Sequence, residues 1–401
     1  MSFAILSPDA IHSEALLMRA PVCTQPLRVL AFALGSANAA AQAAPAAIEV
    51  RALIWETPDD FGAISSLVEL TDGSVILADR AENVVVRLGP SGNRLGALSR
   101  VGAGPGEYSA VGWLFSLGQD STLLTDSFSS RWLVFAGSDF VTGYAESREI
   151  NRMLDAELVG VDQGGFVYGV IPRRSDGTRI PRVQADTLLL VRGPRSGGRA
   201  DTLARLRGRA ARSVVLPPTG GRPSSIVLGT GLEAEDRAVV MRDGSVAVVS
   251  PQPYRVVRHS ARGAAVVGPE LDRTGTLTRG QFCEAVRARI GLSRAQCDRV
   301  AAVSDIDRLP AFFSPSTLDP APAVQLAPDD RIFVRRAALP TETQRYDVLS
   351  SEGSLLSILQ LKPGEAIVGF GRGSIYVAAQ TPDGTRALRK YLLPSAGSAS
   401  R

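Results

Sequence analysis

Short stretches of alternating apolar and polar residues recur along the chain, and each is interrupted by a turn rich in Asp and Gly. Residues 65–79 read SSLVELTDGSVILAD, and residues 237–250 read RAVVMRDGSVAVVS. Alternation with a period of two is typical of half-buried β-strands, and a turn that tolerates positive φ joins two strands into a hairpin. The same pattern predicts hairpins at 111–126, 157–171, 321–336 and 365–379, six in all.

The spacing of these hairpins predicts the fold. Their turn residues are Gly73, Asp120, Gly165, Gly244, Asp330 and Gly373, at intervals of 47, 45, 79, 86 and 43 residues. A four-stranded propeller blade takes about 40–50 residues, so the two long intervals indicate blades that carry insertions. A second pair of strands follows most hairpins, as in ENVVVRLGPSGN at 82–93. The pattern therefore predicts an all-β chain that forms a six-bladed β-propeller.

The residues before the first hairpin are predicted to close the ring. The run IEVRALIWE at 48–56 is strand-like but has no hairpin of its own. As an outer strand of the last blade it leaves no exposed sheet edge at the junction. The propeller is predicted to span 46–394, with insertions at 173–235 and 270–316 and a disordered tail at 395–401.

The first insertion combines strands with a segment of unusual composition. The runs at 186–193 and 201–208 are predicted to be outer strands of the third blade. The following run at 208–225, GRAARSVVLPPTGGRPSS, is rich in Arg, Gly and Pro. It is either a basic lip over the rim or a long solvated loop, and its composition favours the loop.

The second insertion carries two helix-start signals. Thr278 and Ser293 are each followed three residues later by a glutamine, the spacing of a capping box. Apolar residues then recur every four positions, and Gly291 is placed to end the first helix. A small helical hairpin, 279–290 and 294–303, is therefore predicted within the propeller.

Two cysteines, Cys283 and Cys297, lie one turn into each predicted helix. We expect a disulfide between them, if the helix register brings their Cα atoms within about 7 Å. Two free buried thiols, or a metal-binding pair, are the alternatives. The apolar segment at 309–320 is expected to strap this hairpin onto the fifth blade.

The glycine-rich run at 101–108, VGAGPGEY, has two interpretations. A phosphate-binding loop opens directly into a helix, but the residues that follow here, SAVGWLFSL, alternate as a strand does. No Gly-Lys-Ser/Thr ending is present. The run is therefore predicted to join the outer strand of one blade to the inner strand of the next. Glu107 and Tyr108 remain candidate ligand contacts on that rim.

The first two blades resemble NHL-type propeller repeats over about residues 65–140. The residues that carry the resemblance are Gly102, Gly104, Pro105, Gly106, Glu107 and Tyr108, then Asp79 with Asn83, and Asp126 with Arg131 and Phe135. The resemblance implies an NHL-like ring whose strand-end residues surround a central funnel. The last four hairpins share only the alternating pattern.

Eight residues at hairpin ends, four of them already named, are predicted to face one rim of the ring. They are Asp79, Arg80, Asn83, Asp126, Arg131, Tyr254, Arg335 and Arg336. Their carboxylates and amides could hold Ca²⁺, as in regucalcin-like lactonases, which use a six-bladed ring. Strand-end aspartates more often brace a turn through hydrogen bonds to backbone groups, which is the favoured interpretation. No metal or other cofactor is predicted, with Ca²⁺ as the alternative.

The N-terminal residues indicate export. Residues 1–43 are predicted to be a leader and signal peptide with translation starting at Met18, an apolar core at 29–37 and small-residue cleavage sites up to Ala43. Such a chain is secreted or periplasmic. Nothing later forms the roughly 18–20 unbroken apolar residues of a membrane helix. Beyond the leader a single histidine, His259, remains, which excludes a His-rich zinc centre.

The charge of the chain excludes few classes of function. The chain is mildly basic, with a net charge of +4, and only two of its 44 basic residues are lysines. This skew indicates either a GC-rich genome, the favoured explanation, or anion binding by arginine. Mixed charge on an exported chain makes a nucleic-acid role improbable. We therefore expect a monomeric binding or scaffolding propeller for a small molecule, glycan or protein. The alternative is a funnel-centred hydrolase or lyase that depends on Ca²⁺.

Overall fold

Six sheets, five with four antiparallel strands and one with a fifth, parallel strand, account for most of the described residues in a computed structural model. The described residues are 47–50, 52–129, 131–144, 157–173, 176–178, 184–195, 197–209, 212–219, 222–228, 232–262, 264–272, 278–291, 293–303, 310–313, 321–339 and 342–394. The predicted leader and the predicted disordered tail lie outside these residues.

The strands follow the chain blade by blade after two initial strands. These are β1 (Ala47–Glu49) and β2 (Leu53–Phe61). Blade 1 contains β3 (Ile64–Glu69), β4 (Val75–Asp79), β5 (Val84–Leu88) and β6 (Arg94–Ala97). Blade 2 contains β7 (Val111–Gly118), β8 (Ser121–Asp126), β9 (Arg131–Ala136) and β10 (Asp139–Tyr144). Blade 3 contains β11 (Glu157–Val161), β12 (Phe166–Arg173), β13 (Thr187–Pro194) and β14 (Asp201–Arg207).

A separate hairpin, β15 (Arg212–Thr219) and β16 (Arg222–Leu228), precedes the second half of the ring. Blade 4 contains β17 (Arg237–Val240), β18 (Val246–Pro251), β19 (Tyr254–His259) and β20 (Ala265–Val267). Blade 5 contains β21 (Val324–Leu326), β22 (Ile332–Arg335), β23 (Gln344–Leu349) and β24 (Leu355–Leu361). Blade 6 contains β25 (Glu365–Gly371), β26 (Ser374–Gln380) and β27 (Arg386–Leu392).

The core lies between neighbouring blades rather than inside any one of them. In blade 1, Leu67 lies opposite Leu77, and Leu77 lies opposite Val86. This buried row packs against Val368 and Tyr376 of blade 6. A single sheet cannot bury its own faces, so each blade depends on its neighbours for apolar burial, at roughly 25 cal/mol per Å².

The ring closes as the sequence predicts, through residues near its start. Strand β2 pairs antiparallel with β27 and completes blade 6 as its outer strand. The Thr57 hydroxyl accepts a hydrogen bond of 3.0 Å from the Leu388 N–H. Strand β1, which was predicted as part of the same strand, instead pairs parallel with β24 and gives blade 5 a fifth strand. The N-terminal run therefore ties together two blades.

One prediction about the first insertion is wrong. Strands β13 and β14 form the outer half of blade 3 as expected, but the favoured solvated loop contains a regular hairpin, β15 and β16. Val214 pairs with Ile226, and Ser213 pairs with Val227. Short runs of Val, Leu and Ile, at 214–216 and 226–228, lie on both sides of the Gly-Gly turn and supply the strand signal, which the Pro and Arg content obscured.

The helical hairpin is confirmed, with α1 (Arg279–Ile290) and α2 (Arg294–Val303). The Thr278 side chain and the Gln281 side chain cap each other's backbone at the start of α1, and Gly291 ends it with a φ of 70°. Cys283 and Cys297 form the predicted disulfide, with their Cα atoms 5.5 Å apart. Among the described residues of the predicted strap, Phe312 packs between blades 4 and 5, and Phe313 packs against the hairpin.

The strand directions define two faces of the ring. We call the side that carries the turns between the first and second strands of each blade the hairpin face. The other side carries the connections between blades and the turns between second and third strands, and we call it the linker face. Neither of the two described helices has the length and apolarity needed to span a membrane.

Candidate functional site

A cavity of about 760 Å³ lies on the ring axis and opens on the hairpin face. All six blades contribute to its wall, each through the end of its first strand and the turn that follows. Apolar side chains dominate the deeper wall, including Leu114, Val239, Val324 and Val368, which are buried. Polar and charged groups contribute a comparable share of the lining, mostly nearer the mouth. A concave site of this size is typical of small-molecule binding.

Glu69 is the most heavily engaged polar group of the cavity wall. It lies at the end of β3, and its carboxylate accepts hydrogen bonds from the Tyr376 hydroxyl and from the Ser374 hydroxyl at 3.0 Å. The Lys390 ammonium lies 3.0 Å away. Burial alone raises the pKa of Glu69, but hydrogen bonds from Tyr376 and Lys390 outweigh it and hold the pKa below its usual range. Glu69 is therefore ionised at neutral pH.

Asp162 occupies a comparable position after β11 in blade 3. Its carboxylate accepts a 2.8 Å hydrogen bond from the Tyr168 hydroxyl and lies 3.8 Å from the Arg192 guanidinium. Burial, followed by the hydrogen bond to Asp162, raises the pKa of Tyr168 well above its usual range. Each of these two carboxylates thus pairs with a tyrosine and a cation of the protein itself.

Three more charged residues lie at the cavity mouth, where the hairpin turns meet. Asp120 accepts hydrogen bonds from the backbone N–H and the hydroxyl of Thr71, which lower its pKa. Arg242 and Arg372 are exposed, in the turns of blades 4 and 6. The mouth therefore carries both signs of charge above an apolar wall.

None of the ten residues singled out from the sequence is among the residues that line this cavity. Strand-end positions such as those of Asp79 and Asp126 lie on the linker face, at the opposite ends of the inner strands. The ten residues fall into two groups, one around blades 1 and 2 and the other between blades 4 and 5.

Asp79 and Asp126 each hold four backbone N–H groups at identical spacings. Asp79 accepts from residues 62, 63, 81 and 82. Asp126 accepts from residues 109, 110, 128 and 129. Burial alone raises the pKa of Asp126, but the hydrogen bonds from Ser129 and the backbone outweigh it and leave the pKa well below its usual range. Both carboxylates are buried and brace the start of their blade.

The glycine-rich run joins β6 to β7. Within it, the Glu107 carboxylate folds back onto the backbone of the run. The Glu107 carboxylate accepts a 2.7 Å hydrogen bond from the Gly104 N–H and a 2.6 Å one from Arg100. A Cβ at Gly102 would lie 2.1 Å from that carboxylate, so the close approach requires glycine. The Tyr108 hydroxyl is buried against the backbone of Val85.

Asn83, Arg131 and Arg80 complete the group around blades 1 and 2. The Asn83 side chain bridges Ser109 and Val111 across the interblade joint, at 3.2 and 2.8 Å. Arg131 donates to the Glu107 carbonyl at 3.1 Å, and the exposed Arg80 lies 5.8 Å from the Trp113 ring centroid.

The second group lies between blades 4 and 5. The Tyr254 hydroxyl donates to Asp347 at 3.0 Å, and Arg336 pairs with the same carboxylate at 2.6 Å. Burial and the charge of Asp347 raise the pKa of Tyr254 well above its usual range. Arg335 donates a 2.9 Å hydrogen bond to Gln344. Among the described residues, no group of three or more His, Cys, Asp or Glu side chains is arranged to hold a metal ion.

The cavity residues escaped the sequence analysis because each looks like an ordinary strand end. Glu69, Asp162, Arg242 and Arg372 precede the turns of four different hairpins. Alignment of the six hairpins on their turn residues supplies the missing signal, since residues just before each turn must meet around one end of the axis.

Comparisons with known proteins find solved structures with a similar backbone arrangement, but they find no family for this chain. No family model matches the chain, and no curated protein matches it. Three solved structures share its backbone arrangement at low similarity. A protein of Bacteroides fragilis predicted to be exported is 9% identical, with 86% of this chain and 95% of that chain covered and a TM-score of 0.46.

A DUF4221 family member from Bacteroides vulgatus is 9% identical, with 85% and 97% covered and a TM-score of 0.48. A gluconolactonase from Xanthomonas campestris is 11% identical, with 88% and 97% covered and a TM-score of 0.43. At this level the similarities carry no argument about function, which rests on the site alone.

Proposed function

We propose that this protein is an exported, ligand-binding β-propeller that takes a small molecule into its axial cavity. The observation that carries the proposal is the cavity of about 760 Å³ to which all six blades contribute. Its volume lies within the roughly 300–1,000 Å³ typical of small-molecule sites, and its lining combines buried apolar side chains with polar and charged groups. A glycan or protein partner is the alternative ligand.

The ionisation of Glu69 and the contacts of Asp162 favour binding over catalysis. A general acid or base works best with a pKa near the operating pH. The pKa of Glu69 is lowered instead, and its oxygens are engaged by Tyr376 and Lys390. Asp162 is similarly held by Tyr168 and Arg192. Both groups organise the wall, and the lowered pKa of Glu69 makes it a poor general acid or base.

Export is supported by the disulfide between Cys283 and Cys297, because disulfides persist in oxidising compartments. The apolar, small-residue-rich leader supports the same location. We also propose that the protein is a monomer, since every blade is completed by strands of the same chain. Cell fractionation followed by N-terminal sequencing tests the location. Size-exclusion chromatography with light scattering tests the monomer.

We further propose that blades 1 and 2 are NHL-type repeats. The matching sets of amides held by Asp79 and Asp126, and the glycine-rich joint between the two blades, support this grouping. In this chain the strand-end aspartates of the two repeats then have a bracing role.

A neutral fluorescent probe, phenylnaphthylamine, tests the binding function. We expect saturable binding that is lost in Ser116→Trp, because Ser116 is an exposed residue of the cavity mouth and the indole would fill it. Glu82→Trp, an exposed residue of the linker face, is the matched control and should leave binding unchanged. Equal binding by both variants, or no saturable binding to the wild type, would refute the proposal.

Removal of metal ions tests the alternative, a hydrolase or lyase that depends on Ca²⁺. We expect EDTA and millimolar Ca²⁺ each to leave Tm unchanged to within about 1 °C, since a ligand that binds only the folded state stabilises it. Differential scanning calorimetry measures this directly. A rise of several degrees with Ca²⁺, reversed by EDTA, would support the metal-dependent enzyme.

A further inference from the structure

Two of the three carboxylates that line the cavity, those of Glu69 and Asp162, lie beside cations of the protein. Glu69 lies 3.0 Å from the Lys390 ammonium, and Asp162 lies 3.8 Å from the Arg192 guanidinium. Asp120 accepts hydrogen bonds from the N–H and the hydroxyl of Thr71, which lower its pKa and keep it ionised, and it feels the charge of Arg372. The two mouth arginines, Arg242 and Arg372, therefore outnumber the one carboxylate there that lacks a salt bridge.

The turn carboxylates next to the mouth are compensated as well. Asp243, adjacent to Arg242, forms a 2.5 Å ion pair with Arg258 of the third strand of its blade. In blade 5, between the two mouth arginines, Asp329 pairs with Arg331 at 2.7 Å. These aspartates hold partners on their own blades and do not neutralise the mouth arginines.

Two guanidinium groups at the mouth have no salt-bridge or hydrogen-bond partner among the described residues. Within the described ranges, the side chains of Arg242 and Arg372 form no salt bridge or hydrogen bond, although the Arg372 backbone N–H donates to Glu69. They belong to blades 4 and 6 and so flank blade 5 on one arc of the rim. A guanidinium presents a planar fork of donors that suits carboxylate, phosphate and sulfonate groups.

We infer that Arg242 and Arg372 form an anion clamp, and that the ligand is an apolar molecule carrying one carboxylate, phosphate or sulfonate group. The apolar body packs against the deeper wall, and the anionic group lies at the mouth between the two arginines. This inference rests on the proposed function, since it specifies the ligand of the same cavity.

A matched pair of probes tests the clamp. Phenylnaphthylamine and anilinonaphthalene sulfonate share one aromatic skeleton and differ in the sulfonate. We expect wild-type protein to bind the sulfonate at least about 10-fold more tightly than the neutral probe, because charge-assisted hydrogen bonds are the stronger ones. Added salt should weaken only the sulfonate, since exposed charges are screened.

Arg242→Gln combined with Arg372→Gln should remove that preference and leave neutral-probe affinity within about 2-fold. Arg80→Gln, which removes an exposed linker-face charge, is the control and should change neither affinity. If the double variant does not fold, as judged by its near-ultraviolet circular dichroism, the salt titration of the wild type decides the question.

The failure of the clamp and the failure of the proposed function give different results. Equal affinity for the two probes, with no effect of salt or of the double variant, overturns the clamp and leaves the cavity as a binding site. No saturable binding of either probe overturns the proposed function, and the clamp with it.

Discussion

At the scale of single residues, buried carboxylates hold backbone amides at the points where blades begin. A buried carboxylate is costly unless it is hydrogen-bonded, and an N–H group outside a strand ladder needs an acceptor. Asp79 and Asp126 meet both needs, since each gathers four amides from the start of its blade and from the turn that follows. Their repetition makes this bracing a property of the repeat, not of a ligand site.

Asp126→Ala should lower the free energy of unfolding by roughly 2–4 kcal/mol, because it leaves several buried amides without an acceptor. Asp72→Ala removes an aspartate that is 53% exposed and pairs with Arg87, and should cost less than about 1 kcal/mol. Urea unfolding measures both. Equal losses for the two variants would contradict the bracing role.

The same residue predicts an acid sensitivity. Because the folded pKa of Asp126 lies below its unfolded value, its contribution is complete above about pH 4 and is lost as pH falls towards the folded pKa. Unfolding midpoints should therefore fall more steeply below pH 4 in the wild type than in Asp126→Asn.

At the scale of elements, tyrosine hydroxyls connect neighbouring blades. Tyr168 of blade 3 reaches Gly244 of blade 4, and Tyr254 of blade 4 reaches Asp347 of blade 5. Tyr346 then accepts the Ile367 N–H of blade 6, and Tyr376 donates to Glu69 of blade 1. A buried tyrosine needs a partner for its hydroxyl, so each one fixes the position of one blade against the next.

Tyr254→Phe should destabilise the fold by about 1–2 kcal/mol, because it withdraws one donor from the buried Asp347 carboxylate. Tyr144→Phe changes a half-buried tyrosine and should stay within about 0.5 kcal/mol. Thermal unfolding of both variants compares them, and no difference between them would count against the interblade bond.

The disulfide is expected to act on the helical hairpin as one element. It closes a short loop, with the two cysteines 14 positions apart, and such a cross-link stabilises by about 3 kcal/mol. Cys283→Ser combined with Cys297→Ser should speed hydrogen exchange in 279–303 far more than in blades 1 and 2. Uniformly faster exchange across the ring would contradict this local role.

At the scale of the whole molecule, ring closure depends on strands contributed from near the start of the chain. Strand β2 completes blade 6 and is followed directly by β3 of blade 1, and β1 adds to blade 5, so one segment joins the last two blades to the first. A propeller left open at this point exposes the edge of β27 and the apolar row around Tyr376.

Deletion of residues up to 61 should therefore abolish cooperative unfolding and cause aggregation. Deletion up to 51 removes β1 alone and should leave a folded monomer of lower Tm. Calorimetry with size-exclusion chromatography separates the two, and a stable, cooperative product without β2 would refute the closure.

Local patterns explain what the sequence could predict of this molecule. Hairpin periodicity predicted the six blades, and capping signals predicted the helices and their disulfide, because both depend on neighbours in sequence. Residues such as Glu69, Arg242 and Arg372 meet only when the ring closes. No local sequence pattern indicates on which face of the ring the axial cavity opens. The hairpin at 212–228 was missed because its proline and arginine residues obscured two short apolar runs.

A crystal structure of the full chain with anilinonaphthalene sulfonate tests the central claim, that the axial cavity is the binding site. The account predicts the aromatic rings against the apolar wall and the sulfonate within about 3 Å of the Arg242 and Arg372 guanidinium groups. Ordered probe on the linker face, among Asn83 and Arg131, with the cavity holding only water, would contradict it.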